Sequence, residues 1–399
     1  MNTICKFPDI DIYLLYYLDI QSIIRLSTIT KDQYNLMITQ QFIKELHLIK
    51  QTKMKNIINY ASTYNYLSVI KWISQCSLLD NEFKYDVDAI NLASENGHVN
   101  ILDWFDKSGY EFKYTHDSID NAAKNGHINI LNWFDKSGYE FKYTKKAIDA
   151  ASMNGHICIL DWFDKSVYEF KYTNDAIIFS SKNGYVNILE WFDKSVYEFK
   201  YTINAITNAS FKGHTCVLDW FDKSDYEFKY NEYAINWASD RGQICILDWF
   251  DNSNYEFKYT THAIDWASDK GHICVLDWFD NSNYEFKYTI NAINWASEAG
   301  NVCVLDWFNK SNYEFIYTTY AIDNACIKGH CNILEWFDKS NYEFKYTSCA
   351  IDNAATNGKL NVLQWFKNSK YGLTFTEDTI KKAQKAKQQH IIDWLNNNK

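Results

Sequence analysis

A tryptophan recurs every 29 residues, eleven times over, from Trp104 to Trp394. A fixed period of this length overrides any division of the 399 residues into ordinary globular domains, because each unit buries its apolar faces only by stacking on a neighbour. A degenerate earlier copy lies around Trp72, 32 residues before Trp104, its connector lengthened by three residues around Cys76, Leu78 and Leu79. About twelve units therefore occupy residues 51–399. The expected fold is an all-α solenoid of helix pairs, with a degenerate first unit at 51–85 and a polar capping unit at 376–399.

Residues 115–143 show how one unit is written. Thr115 is a good N-cap, and Thr, Asp or Asn holds the same place in every other unit, as at Asp86, Thr144 and Asn231. Ile119, Ala122 and Ala123 follow at i, i+3, i+4 spacing and form a narrow apolar stripe whose small alanines admit a close neighbour. Gly126 supplies the left-handed residue that ends this first helix. The second helix is apolar over most of its girth through Ile128, Ile130, Leu131, Trp133 and Phe134, so it must be covered on several sides. Asn129, Asn132 and Lys136 remain for solvent.

Between units stands Tyr-Glu-Phe-Lys-Tyr, present eight times, first at 110–114. Its aromatics alternate with charges at period two, the pattern of an extended connector with one buried face. Its Glu and Lys are expected to line the solvent side as charge ladders, each pair contributing at most about 1 kcal/mol.

The paired alanines, the Asn125-Gly126-His127 turn and the apolar helix after it resemble the helical part of the ankyrin repeat. The likeness recurs in register over residues 51–399, and the 29-residue form is similar to the ankyrin-like arrays of giant DNA viruses. Four residues of the usual 33-residue unit are missing where that family carries its β-hairpin, so the resemblance implies reduced or absent hairpins. It also implies protein–protein recognition, in a virus-encoded chain acting in the host cytoplasm.

Residues 1–50 do not share the period. Pro8, an apolar helix with Leu14, Leu15 and Leu18, and the segment Ile23, Ile24 and Leu26 resemble an F-box, although Tyr34 stands where that family often has tryptophan. The resemblance implies docking on the adaptor of a cullin-RING ubiquitin ligase. The alternative is a helical cap that closes the first repeat.

The net charge of −10, with no basic stripe, argues against nucleic acid as partner. No apolar run approaches the length of a membrane span and residues 1–10 hold no signal peptide, so a soluble intracellular protein is expected. Cys158, Cys216, Cys245, Cys274 and Cys303 share one repeat position. Stacked helices roughly 8–10 Å apart hold them too far apart to bridge, and they are expected as free thiols. His98, His127, His156, His214, His272 and His330 follow the turn glycine; because Tyr185, Gln243, Asn301 and Lys359 replace them elsewhere, they are expected to start helices rather than bind metal. Phosphate loops, zinc-type cysteine pairs and nucleophile constellations are absent, so neither enzyme activity nor a cofactor is expected.

Specificity on a periodic scaffold must come from the positions that vary. One first-helix site reads Leu92, Asn121, Ala150, Phe179, Asn208, then Trp237, Trp266, Trp295, then Asn324 and Asn353. The three consecutive tryptophans, framed by Tyr233, His262 and Tyr320, form the expected target-binding face. They could instead pack on one another as an internal ladder. The expected function is a protein-interaction adaptor that holds a target and recruits a ligase; the alternative is a passive scaffold without a ligase link.

Overall fold

The structure, a computed structural model, describes residues 57–75 and 85–398. Residues 1–50, with every residue expected to dock a ligase adaptor, and the connector holding Cys76, Leu78 and Leu79 lie outside the described residues. Among the described residues there are 24 α-helices and no strand, arranged as consecutive antiparallel pairs joined by extended connectors. This is the all-helical solenoid read from the period, without β-hairpins.

The helices fall into two compact units. One runs to Ser180 and includes Asn187–Lys200; the other holds Ser181–Val186 and continues from Tyr201. In the first unit, Ile57–Thr63 packs on Val87–Glu95, which packs on Asp117–Lys124, which packs on Lys145–Met153. In the second, the first helices run Asn204–Lys212, Tyr233–Asp240, His262–Lys270, Ile290–Ala299, Tyr320–Lys328, Ser348–Thr356 and Glu377–Lys385, each against the next. Within each unit the first helices make the close seam and the second helices touch more sparingly. The reason is volume: Ala263 and Ala267 line the first-helix seam, whereas Val275, Leu276 and Phe279 fill the space behind it.

At three first helices the ends follow the expected caps: Thr144, Thr289 and Thr347 have extended backbones, and each hydroxyl accepts a hydrogen bond from the amide two residues on. At Thr115, Thr202, Asn231, Thr260 and Thr318 the helix begins one residue later than expected, although the expected side chain still accepts from the amide two residues on. Gly97 ends its helix at φ +76°, and a Cβ there would lie 2.8 Å from Nδ1 of His127 in the next pair. Glycine is thus required both by the backbone and by the neighbour's ring.

Two expectations need refinement. The aromatic residue that is fully buried in the second helix is phenylalanine, as at Phe134 and Phe279, each 1% exposed. Trp133 is only half-buried at the seam and donates its indole N–H to Asp103 of the preceding pair at 2.6 Å. The histidines do more than start helices. His98 and His272 place Nε2 3.0 and 3.1 Å from the carbonyl oxygens of Thr63 and Asp240, at the end of the preceding first helix. Burial pushes the imidazoles of His127, His214 and His330 below their ordinary value, so they are neutral at physiological pH.

The connectors are extended and clamp neighbours together. Phe141 stacks on Trp162 and Tyr168 of the following pair, with ring centroids at 5.3 and 4.0 Å. Tyr139 donates its hydroxyl to Asp106 at 3.1 Å, and Tyr143 donates to the carbonyl of Glu169. Lys142 meets Glu140 at 3.6 Å and also covers the ring of Tyr114 at 4.7 Å. The charges therefore line the outer side as expected, and each lysine adds a cation–π contact to the preceding connector.

Phe279→Ala should destabilise the chain by about 3–5 kcal/mol, read from urea unfolding followed by tryptophan fluorescence. The buried hydroxyl of Ser268 has no hydrogen-bond partner, and Ala123 and Ala355 occupy the same place in other repeats. Ser268→Ala should accordingly raise stability by roughly 0.5–2 kcal/mol in the same assay.

Candidate protein-binding face

The seam between first helices contains a polar bridge that the sequence reading missed. Five residues after its cap, a repeat carries Asp or Asn on an otherwise apolar face, and this side chain reaches the cap threonine of the next repeat. Asp265 accepts from the amide of Thr289 at 2.8 Å and from its hydroxyl at 2.7 Å. Asn236 and Asn294 make the equivalent bridge in amide form: Oδ1 accepts from the threonine amide and Nδ2 donates to its hydroxyl. Asn91 pairs with Thr115, Asp120 with Thr144, Asp149 with Thr173, and Asp323 with Thr347. Each cap therefore satisfies its own helix and is held by its neighbour. The available signal was the near-restriction to Asp and Asn at a buried or half-buried position; Ile178, Thr207 and Lys381 interrupt it, and Asp352 accepts instead from the Thr379 hydroxyl and Lys382.

Some of these bridges carry an electrostatic cost. Burial pushes the carboxyls of Asp149, Asp265 and Asp323 above their ordinary value, although the bonds from Thr173, Thr289 and Thr347 oppose the shift.

Above this seam sit the expected target-binding residues. Trp237, Trp266 and Trp295 are half-buried, on three successive first helices of one unit. Tyr233 and Tyr320 are 42% and 64% exposed, and His262 is exposed as well. One turn separates Tyr233 from Trp237 and His262 from Trp266, with ring centroids at 6.0 and 4.6 Å. Phe211 meets Trp237 edge-on at 5.7 Å. The structure thus brings all six residues onto one row of first helices.

Among the described residues, no ring contact joins Trp237 to Trp266 or Trp266 to Trp295, so they do not form the internal ladder that was the alternative. Nor does any described group accept from their indole N–H. The second-helix tryptophans behave differently: Trp249, Trp278 and Trp307 each donate to an aspartate of the preceding pair at 2.6–2.7 Å. One tryptophan series is built into the seam, and the other presents a free donor and a half-covered ring to solvent.

Cys158, Cys216, Cys245, Cys274 and Cys303 are free and exposed. Among the described residues no cluster of His, Cys, Asp or Glu is placed to hold a metal ion, and no helix is long and apolar enough to cross a membrane. Searches with this chain found neither a matching protein-family model nor a similar curated protein.

Replacing Asp265 with Asn should keep the bridge and remove its pH dependence. The raised folded-state pKa means that this aspartate favours the folded chain fully only below its unfolded value of about 3.9, and that this contribution is lost as pH rises through the folded value. Asp265→Asn should therefore be at least as stable as the parent at pH 7, with a flatter stability profile above pH 4. Asp265→Ala, which orphans the Thr289 amide, should cost about 1–3 kcal/mol. Urea unfolding at a series of pH values checks both.

Proposed function

We propose that the chain is a non-enzymatic protein-interaction adaptor, in which an ankyrin-like solenoid holds a target protein on the face of Trp237, Trp266 and Trp295. The carrying observation is that these side chains are half-buried, unstacked on one another and without a partner for their indole N–H, in an array where other tryptophans are tied into the seam. Aromatic anchors flanked by variable polar positions suit recognition of a protein surface. The F-box-like segment at 1–50 would link the bound target to a cullin-RING ligase through Pro8, Leu14, Leu15, Leu18, Ile23, Ile24 and Leu26. The likeness of the 29-residue unit to viral arrays suits a setting in a eukaryotic host cell.

The ligase link is tested by affinity capture of the full chain from a eukaryotic lysate, alongside the double variant Ile23→Asp and Leu26→Asp. Cullin and its adaptor should come down with the parent and fall at least tenfold with the variant, while other captured proteins are retained. Equal recovery of ligase components, or none with either chain, would remove the ligase link and leave a scaffold.

A further inference from the structure

The three repeats that carry the tryptophans also carry most of the protein's net negative charge. Residues 231–317 hold thirteen acidic and five basic side chains, a net −8 within a chain whose total is −10. Four of the five cations are already held: Arg241 by Asp240 at 3.2 Å, Lys258 by Glu256 at 3.6 Å, Lys270 by Asp269 at 2.7 Å and Lys287 by Glu285 at 3.6 Å. A partner approaching this region therefore meets a negative field, which extends over about 8–10 Å at ordinary ionic strength.

The same bias is repeated locally. Each tryptophan is followed three residues later by a carboxylate, giving Trp237 with Asp240, Trp266 with Asp269, and Trp295 with Glu298. At i, i+3 both members lie on one helix face. No other repeat combines these types at the two positions: Asn208 is followed by Phe211, Asn324 by Ile327 and Asn353 by Thr356. An indole face beside a carboxylate suits a cation, which gains both a cation–π contact and an ion pair. The patch already contains one such contact, since the guanidinium of Arg241 sits 4.3 Å above the ring of Phe211. No described cation covers Trp237, Trp266 or Trp295.

We propose that this face binds an extended basic segment of a partner protein, one lysine or arginine over each of the three indoles. Spacing supports it. Stacked helices lie roughly 8–10 Å apart, and a chain in the extended polyproline II conformation has about three residues per turn and advances about 3.1 Å per residue, so a cation at every third residue stays on one face and comes into register with successive tryptophans. The unpartnered indole N–H groups are then available to donate to the carbonyls of the extended backbone, which have no internal donor. All three carboxylates already hold a cation, Asp240 with Arg241, Asp269 with Lys270 and Glu298 with Lys328, but the cation of each pair is about half exposed and such a pair is worth at most about 1 kcal/mol, so an incoming cation can replace the resident one. This inference rests on the tryptophan face being the binding face, and it adds the chemistry of what binds there.

The test is fluorescence anisotropy with the full chain and three labelled nonapeptides in a Gly/Ser background. The first has lysine at positions 1, 4 and 7, the second glutamate at those positions, and the third three consecutive lysines. The triple variant Trp237→Asn, Trp266→Asn, Trp295→Asn uses the residue that the array itself places at 208, 324 and 353, and its fold is checked by thermal unfolding. The spaced lysine peptide should bind more tightly than the other two, weaken as salt rises from 50 to 300 mM, and lose about tenfold or more in affinity with the triple variant. Equal binding to parent and variant would reduce the effect to general attraction and overturn the proposal. Preference for the glutamate peptide would overturn the basic occupant while leaving the face as a binding site. If no peptide binds, the proposal fails, and capture of targets from lysate by parent and triple variant then decides whether the tryptophan face binds protein at all.

Discussion

Everything in this molecule depends on the stacking of one helix pair on the next. A 29-residue unit has too little interior to fold alone, and its apolar second helix is covered only when neighbours close on it. The contact has three layers. Alanines allow the first helices to approach, the Ile-Leu-Phe set of the second helices fills the interior, and the aromatic connectors seal the outer edge. The cap threonines and the first-helix ends are paired across the seam, by the Asp or Asn bridge and by the histidine over the preceding helix end, while the buried hydroxyl of Ser268 is left unpaired. Such a design makes stability a sum of neighbour terms, so damage at one seam is felt first by the two repeats that share it.

The same constraint separates structural positions from functional ones. A residue that recurs in nearly every unit, such as Phe134 or the tyrosines of the connector, is explained by stacking and needs no further role. First-helix positions that face away from the seam are free to vary, and there the chain places three tryptophans in succession and a carboxylate one turn after each. The coincidence of aromatic surface with the concentrated negative charge of residues 231–317 is therefore not required by the fold. It is what distinguishes this part of the array from the repeats on either side.

Much of this was legible in the sequence because period and hydrophobic pattern are local quantities. The 29-residue spacing, the threonine caps, the turn glycines and the alternating connector all translated directly into helix pairs and extended links. What escaped was relational. The bridge from Asp265 to Thr289 joins residues 24 positions apart, and its register emerges only once the seam is built. The hydrophobic pattern reads Trp133 and Phe134 alike and does not say which of two adjacent aromatics points inward; the geometry gives the interior to Phe134 and leaves the indole at the edge with a hydrogen bond to Asp103. Likewise, a histidine after a glycine reads as a helix start, and its packing on the glycine of the previous repeat becomes visible only in the stack. The F-box-like residues Pro8 to Leu26 lie outside the described residues, so that reading rests on sequence alone.

The central claim is that recognition is confined to the first-helix face of three repeats while the remainder serves the stack. Amide hydrogen exchange of the full chain, with and without a target recovered from lysate, tests it most directly. Added protection should appear in Tyr233–Asp240, His262–Lys270 and Ile290–Ala299, and leave the second helices between them unchanged. Protection concentrated instead on the second helices or the connectors, or spread evenly along the array, would contradict it.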